Sequence, residues 1–480
     1  MKEIDWPYAH DLYQRITTKA RVNGTPISDI RLVEGYALWP RVAQMALSVD
    51  FKFFSATKIF DDVRVPYDEL SGAPYTFSGF FVGAFAFLVT CIASVVLVVS
   101  RREVVVYGVD KMGGIAHADF RMQGVYEVLI SRAQSYVEVF HTILGVSFFK
   151  HLFARGRVAI YLEGIDWLYL TLRFIRRLVV PREKFSVTGL ESFSIEEQKI
   201  TTAVVQKYVG AAALFRFRLS FLRFVLRESR VKLILSIDDT RHYQELMIAA
   251  RECAIPTYAF QHGQISPYFV GWLGQNELHA AHADTLVVWN QYWKDELVRL
   301  QAAWQGDALL IGGSAKEMSA LTLMRGNTNT VLIPYEIDAP LGIVRECIAN
   351  LTRGGITVLV KLRNDIPAHT QCTAYNITEA QTIRSVSECP PVIAVIGSYS
   401  TFLYDAMMVG VPVGIIMSPL LFADGIVRNR LAIQIDPYEP MRGVRLLSAM
   451  TEDAVLEIKK RVHAEPASET VNAILDKYLT

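Results

Sequence analysis

Residues 392–416, VIAVIGSYSTFLYDAMMVGVPVGII, constrain the fold of this chain more than any other stretch. The runs 392–396 and 411–416 are short and wholly apolar, the mark of strands buried on both faces. Residues 400–409 between them read as a helix, stopped by Gly410 and turned into the next strand by Pro412. The turn Gly397-Ser398-Tyr399-Ser400-Thr401 sets hydroxyls and backbone N–H groups at the helix start. The first turn of a helix has unpaired donors and the positive end of the dipole, so it suits a phosphate. Ser398, Ser400 and Thr401 are therefore candidate phosphate ligands, with helix capping as their other natural role. Asp405 follows one turn later.

The same alternation runs through most of the 480 residues. Strands are expected at 104–107, 136–140, 158–162, 232–237 and 256–261, with helices at 124–132, 167–178, 196–227 and 241–254. A second series has strands at 285–289, 309–311, 330–334, 356–361, 392–396 and 411–416, and helices at 291–301, 341–353, 400–409, 452–462 and 469–477. Short buried strands alternating with helices predict an α/β chain with parallel, doubly wound sheets. The chain is too long for one ordinary core. It reads as two Rossmann-like domains, 101–275 and 276–480, facing each other across a cleft, with the boundary near 265–285. Residues 1–76 form an N-terminal extension without a chemical signal.

Residues 77–100 contain no charge and are followed by Arg101-Arg102. Length and purity make this a transmembrane candidate. Its end, 95–99, also reads as a buried strand, so a membrane-associated helix and a core element both fit. Apolar residues make up 51% and charged residues 20%, with a mean hydropathy of +0.25. That is high for a soluble enzyme and low for a polytopic membrane protein. The stretches 167–184 and 214–232 are basic and apolar; the second carries Arg216, Arg223, Arg227 and Arg230 on one helical face. Such a face suits anionic lipid, or a core helix with solvated arginines. A net charge of +1 gives no bulk attraction for nucleic acid. Cys91, Cys253, Cys347, Cys372 and Cys389 show no CxxC pair or zinc spacing and point to reduced thiols in the cytosol. The polar, mixed N-terminus is unlike a cleavable signal peptide.

The pattern G-x-x-S-T-x-x-x-D-A-x-x-x-G-x-P-V, from Gly397 to Val413, resembles the donor-binding segment of GT-B glycosyltransferases. More narrowly, it is similar to bacterial surface-polysaccharide transferases of the Kdo-, sialyl- and CDP-glycerol-transferase kind. The resemblance covers the C-terminal half well and the first part of the chain poorly. It implies a GT-B-like fold with a nucleotide-sugar donor on the second domain and a nucleotide phosphate at Ser400-Thr401. Asp405 stands where the family commonly has a Glu that binds a sugar or ribose hydroxyl. Ile255-Pro256 through Gln261-His262-Gly263 resembles the family's [I/V]-P-x-x-x-x-Q-H-G run. Where relatives often read Lys-Pro-His-Pro, this chain has Lys361-Leu362-Arg363-Asn364. The resemblance implies that Lys361 and Arg363 stand in as cations for the nucleotide phosphates there, without the His-Pro.

Ligands bind beyond the C-terminal ends of parallel strands. His262 and Gly263 end the strand 256–261. A histidine there can act as base or phosphate donor near neutral pH, and glycine lets the backbone approach a ligand. Asp238 and Asp239 end the strand 232–237, facing the cleft or capping the next helix. Glu336, after 330–334, is a candidate donor base or ribose contact. On the acceptor side, a sugar hydroxyl must lose its proton to a carboxylate or histidine. Asp119, Arg121, Glu138, His141, Glu163 and Asp166 lie near strand ends, with Glu163 and Glu138 the foremost candidates. Leu162-Glu163-Gly164 loosely resembles the acidic motif that supplies the base in bacterial polysialyltransferases. GT-B chemistry stabilises its leaving group with helix dipoles and cations, so neither a metal nor a cofactor is expected.

The chain is thus expected to be a GT-B, Leloir-type glycosyltransferase at the cytoplasmic face of the plasma membrane. It would move a sugar from a CMP-sugar, or next a UDP-sugar, to a surface glycan or lipid-linked acceptor, with no nucleic acid involved. A CDP-glycerol-type polyol-phosphate transferase and a non-catalytic GT-B-like membrane partner are the alternatives.

Overall fold

A computed structural model describes residues 4–58, 77–100, 102–109, 119–141, 159–177, 185–237, 243–268, 270, 273, 281–316, 322–337, 339–364, 366–418 and 422–479. The first sheet comprises β1 (Val104–Val109), β2 (Tyr136–His141), β3 (Ala159–Tyr161), β4 (Leu233–Ile237), β5 (Thr257–Phe260), β6 (Thr285–Val288) and β7 (Leu309–Ile311). All pairs are parallel, in the order β7-β6-β5-β4-β1-β2-β3. The second sheet comprises β8 (Thr330–Pro334), β9 (Thr357–Lys361), β10 (Thr382–Ile383), β11 (Ala394–Gly397), β12 (Val413–Ile416) and β13 (Ile433–Ile435). It is also parallel throughout, in the order β10-β9-β8-β11-β12-β13. Strands β4, β11 and β12 are buried at every position, as a sheet covered on both faces demands. Two doubly wound parallel sheets are the α/β plan that the GT-B resemblance implies. Strand order reverses between β1 and β4 and between β8 and β11, leaving a crevice at each carboxyl edge.

The change of sheet does not fall near 265–285. β6 and β7 extend the first sheet beyond β5, so the chain leaves it only after Ile311. A buried parallel strand carries no mark of which sheet it joins, and the alternation reads the same on either side. The last helix, Ser468–Leu479, returns to the first sheet, where Arg132 meets Asp476 at 2.5 Å and the hydroxyls of Tyr258 and Tyr478 lie 3.1 Å apart. The two crossing segments are hydrogen-bonded to each other. Ser314 N–H donates to the Glu465 carbonyl at 2.7 Å, and Ala467 N–H to the Ser314 carbonyl at 2.9 Å.

Residues 4–58 are part of the core of the first unit. The helix Trp6–Lys19 buries Trp6, Ala9, Leu12, Tyr13 and Ile16. Asp50, fully buried, accepts the Lys207 ammonium at 3.1 Å and the Tyr208 hydroxyl at 2.8 Å.

Phe77–Val99 is one continuous helix, so 95–99 is no strand. One face is packed through Gly83, Ala86, Val89, Ala93 and Leu97. A Cβ on Gly83 would lie 2.3 Å from the Trp167 ring, and one on Gly164 would lie 2.7 Å from the Phe87 nitrogen. The helix is therefore pressed against Leu162–Arg177. Thr90 also closes the edge of the sheet. Its hydroxyl donates to the Tyr161 carbonyl at 3.2 Å and accepts the Tyr161 N–H at 3.0 Å. The opposite face, Phe81, Phe85, Leu88, Ile92, Val95 and Val99, is 40–78% exposed.

The long helix Ile195–Glu228 opens with a capping box from Ser194 and Glu197. Of the four arginines expected on one face, Arg216 donates to the Leu32 carbonyl at 2.8 Å and Arg223 grips Glu252, while Arg227 and, beyond the helix end, Arg230 are exposed. Arg218, buried on another side of the helix, forks onto Asp166. Glu245, 3.9 Å from Arg218, binds Arg41 at 3.0 Å in the interior.

Candidate functional site

β8 and β11 flank the switch point of the second sheet, and the turns after them carry the site. Glu336 reaches from one turn to the other. Its Oε1 accepts the N–H groups of Ser398, Tyr399 and Ser400 at 3.0, 2.7 and 2.6 Å, and its Oε2 accepts that of Ser398 at 2.8 Å. The Glu336 N–H itself donates to the Tyr375 hydroxyl at 2.9 Å. A Cβ on Gly397 would sit 3.0 Å from Oε1, so the glycine leaves room for the carboxylate. Burial pushes this carboxyl above the ordinary range, while the N–H groups of Tyr399, Ser398 and Ser400 pull it down. The backbone donors expected to meet a phosphate thus meet the chain's own carboxylate. Only the order of strands brings Glu336 beside residues 398–400, which is why the local motif did not reveal it.

The next residues join the two sheets. The Ser400 hydroxyl accepts the Phe402 N–H at 3.2 Å, a capping role at the start of the helix Phe402–Met408. The Thr401 hydroxyl accepts the Gln264 N–H at 3.3 Å, and a Cβ on Gly263 would lie 3.4 Å from it. The Gln264 amide donates to the Tyr399 carbonyl. The loop carrying half-buried His262 therefore faces the loop after β11. Gln261 stiffens it, donating to the Gly263 carbonyl at 2.9 Å and accepting the Trp289 N–H at 3.1 Å. Beside this contact Trp6, Tyr268 and Tyr399 gather around Phe422, with centroid separations from it of 5.2, 4.7 and 4.7 Å.

A charged group lies next to the loop. Asp405 is buried; its Oδ2 accepts the Lys316 ammonium at 2.7 Å, and its Oδ1 has no hydrogen-bond partner. Lys361, at the end of β9, is half-buried with its ammonium 5.3 Å from the centre of the Phe402 ring. Burial lowers its pKa, the Lys316 cation lowers it further, Asp405 raises it, and Arg363 lowers it again.

The remaining candidates stand elsewhere. Glu138 is buried within β2, and Glu163 lies in the first turn of the helix after β3. These strands are three and four places from β5. At the usual strand spacing that is roughly 14 and 19 Å from the His262 strand, so neither carboxylate is brought together with His262. Asp166 pairs with Arg218, and Arg121 donates to Asp119 at 2.9 Å. Asp238 and Asp239 lie outside the described residues. Among the described residues no group of His, Cys, Asp and Glu is arranged to hold a metal ion.

Three features escaped the sequence reading. Lys316 follows Gly312-Gly313-Ser314 at the end of β7, and a glycine pair after a strand is a signal that could have found it. Gln264 adjoins the Q-H-G run. Trp6 carries no local sign that it reaches the junction of the two sheets.

No protein-family model matches the sequence, and no curated protein matches it. Among solved structures, UDP-GlcNAc 2-epimerase from Neisseria meningitidis bound to UDP-GlcNAc is similar at 12% identity and a TM-score of 0.45, over 78% of this chain and 98% of that one. The glycosyltransferase SnogD from Streptomyces nogalater is similar at 12% identity and a TM-score of 0.44, over 78% and 99%. MurG from Acinetobacter baumannii gives 10% and 0.43, over 78% and 99%. Similarity of this degree says nothing of the chemistry of this chain.

Proposed function

We propose that this chain is a glycosyltransferase that passes a sugar from a nucleotide-activated donor, held on the second sheet, to an acceptor hydroxyl. The observation that carries this reading is the clamping of Glu336 at the second switch point, beside Lys361 and opposite the His262 loop. Three N–H contacts fill Oε1, while Oε2 has one and keeps a lone pair for a donor hydroxyl. Lys361 and Arg363 offset the charge that grows on the leaving phosphate as the sugar C–O bond breaks. His262 is the candidate base for the acceptor proton, and Glu163 and Glu138 belong to a more distant acceptor side. Ser398 and Ser400 act through their backbone by fixing Glu336, and Thr401 ties the donor loop to the His262 loop.

For a lipid-linked acceptor, the helix Phe77–Val99 is the natural contact. Its exposed stripe is flanked by Val82, Ala84, Cys91, Val96 and Val98, without a charge at the rim. A helical partner wants a narrow seam edged by charges, whereas lipid accepts a broad apolar face. Thr90 and the Gly83 and Gly164 contacts hold the other face to the first unit, which favours a helix lying along the cytoplasmic membrane surface rather than crossing it. Vesicle co-sedimentation should weaken in a Leu88→Lys/Ile92→Lys variant; undiminished sedimentation would remove this role.

Calorimetric titration with CMP, CDP, UDP and GDP tests the transferase reading. Selective binding of one nucleotide, lost in Lys361→Ala, is expected. A second reading, a non-catalytic partner in glycan assembly, is favoured by the aromatic cluster around Phe422 that packs the loop after β11 against Trp6 and Tyr268. No binding by folded protein would select it.

A further inference from the structure

We propose that the N-terminal helix Trp6–Lys19 is a clasp that holds the two units shut across the cleft, with Trp6 fastened between Tyr268 of the first unit and Phe422 of the second. Its bearing on activity, as an autoinhibitory contact, rests on the transferase reading; the contact itself does not.

The cleft is shut at the point where transfer would take place. The Gln264 N–H donates to the Thr401 hydroxyl at 3.3 Å, and the Gln264 amide donates to the Tyr399 carbonyl. A Cβ on Gly263 would lie in van der Waals contact with that hydroxyl, at 3.4 Å. A sugar passing from the Glu336 side to the His262 side has to lie between these two loops, and loops in direct contact leave no room for its ring. They must part before transfer.

Trp6 spans the gap from a firm base. Its helix is anchored on the first unit by Arg15 and Tyr8, which both bond Glu197, at 2.6 and 2.8 Å. From there the Trp6 ring lies 5.4 Å from that of Tyr268 and meets Phe422 edge-on at 5.2 Å. Phe422 in turn stacks on Tyr399, with centroids 4.7 Å apart, in the loop that holds Glu336.

Two contacts between the units differ in how well they are satisfied. Near the crossing, Glu296 on the helix Gln291–Arg299 of the first unit accepts Arg428 at 2.5 Å and Asn429 at 2.8 Å from the second. The neighbouring Asn290 amide donates to the Val462 and His463 carbonyls at 2.6 and 3.1 Å. At the clasp, two buried polar atoms find no hydrogen-bond partner among the described residues. One is the indole N–H of Trp6. The other is the amide oxygen of Gln264: a carbonyl only accepts, so the amide must turn its nitrogen to Tyr399, which leaves the oxygen over. A buried polar atom without a partner costs free energy that contact with water removes. Parting the units at the clasp hydrates both atoms, whereas parting them at Glu296 would strip a buried carboxylate of its donors from the second unit. The units therefore open at Trp6 and Gln264 and stay joined at Glu296.

The test is hydrogen exchange of the full chain, read by mass spectrometry in wild type, Trp6→Leu and Phe422→Leu, with thermal unfolding to check the fold. An aromatic pair is worth up to about tenfold in an equilibrium beyond the apolar area it buries. Exchange of the Gln264 N–H, which is bonded across the cleft, should rise by about that factor in both variants. The Ser398 N–H, bonded to Glu336 within the second unit, should exchange as in wild type. If Trp6→Leu loosens its own helix, Phe422→Leu decides, because it lies in the other unit. Unchanged exchange at Gln264 in Phe422→Leu, or an equal rise at Ser398, would overturn the clasp. Exchange is read without nucleotide, so the two readings fail separately. A folded chain that shows this pattern and binds no nucleotide keeps the clasp and loses the transferase.

Discussion

The buried groups Asp50, Asp166, Lys207, Arg218 and Glu245 of the first unit are paired with one another, whereas Asp405 at the carboxyl edge of the second sheet keeps an unused oxygen. Arg41, Glu245, Arg218 and Asp166 form a connected chain in which Arg41 Nη1 is left over, and Asp50 has both Lys207 and Tyr208. At the other edge Asp405 uses one oxygen and Lys361 has only an aromatic ring. A buried charge that is fully paired fixes the fold, and removing its partner is costly. One left short of partners has a price that a ligand can lift. Under the proposed function, burial of charge serves architecture in the first unit and recognition in the second.

The sharpest way to break this contrast is Glu245→Ala. It strands Arg41 in the interior, and the expected loss is about 3–5 kcal/mol in urea unfolding. A loss within experimental error would mean that the first unit tolerates free charge after all. Thr90→Val orphans the backbone N–H and carbonyl of Tyr161 at the sheet edge. It should lower stability by about 1–3 kcal/mol, and hydrogen exchange at Tyr161 should rise; unchanged protection there would show that the edge does not need its hydroxyl.

His282 gives a pH test in the same unit. Its ring lies 4.6 Å from Trp304, and burial, aided by the Arg251 cation, pushes its pKa from 6.5 down to about 3. The unfolded chain then binds a proton that the folded chain refuses, so stability is full above pH 6.5 and falls as pH drops towards 3. The slope is at most about 1.4 kcal/mol per pH unit, and His282→Phe should flatten it. Parallel profiles would exclude a buried neutral imidazole. The smallest effect on stability is expected for Lys361→Met, within about 0.5 kcal/mol, together with loss of nucleotide binding. A strongly destabilised variant would move Lys361 to the architectural side of the comparison.

Much of the fold was legible. Strand β11, the turn at Gly397 and the helix before Gly410 lie close to where the apolar runs and glycines put them. Two things were not. Sheet membership of β6 and β7 depends on hydrogen bonds to β5, which leave no trace in apolar periodicity. The donors at Ser398–Ser400 depended on a residue 62 to 64 positions away, Glu336. Motifs report what a segment offers, whereas what it meets is set by strand order. Lys361 and the Q-H-G loop lie at the strand ends where the sequence put them, and Asp405 lies in the helix read after Gly397. Lys316 was missed because its relevance comes from the crossing between sheets.

Any relative motion of the halves would have to turn on that crossing. Two chain segments pass between the sheets, and they are stitched together through Ser314, Glu465 and Ala467. A single tether behaves as a ball joint, whereas a stitched pair behaves as a door hinge with one axis. Lys316 lies two residues beyond the pin and bonds Asp405 in the other leaf. Because the last helix belongs to the fixed leaf, a fragment cut after Ile311 would lack a wall of its own core, and only a piece carrying Ser468–Leu479 in trans could complete it.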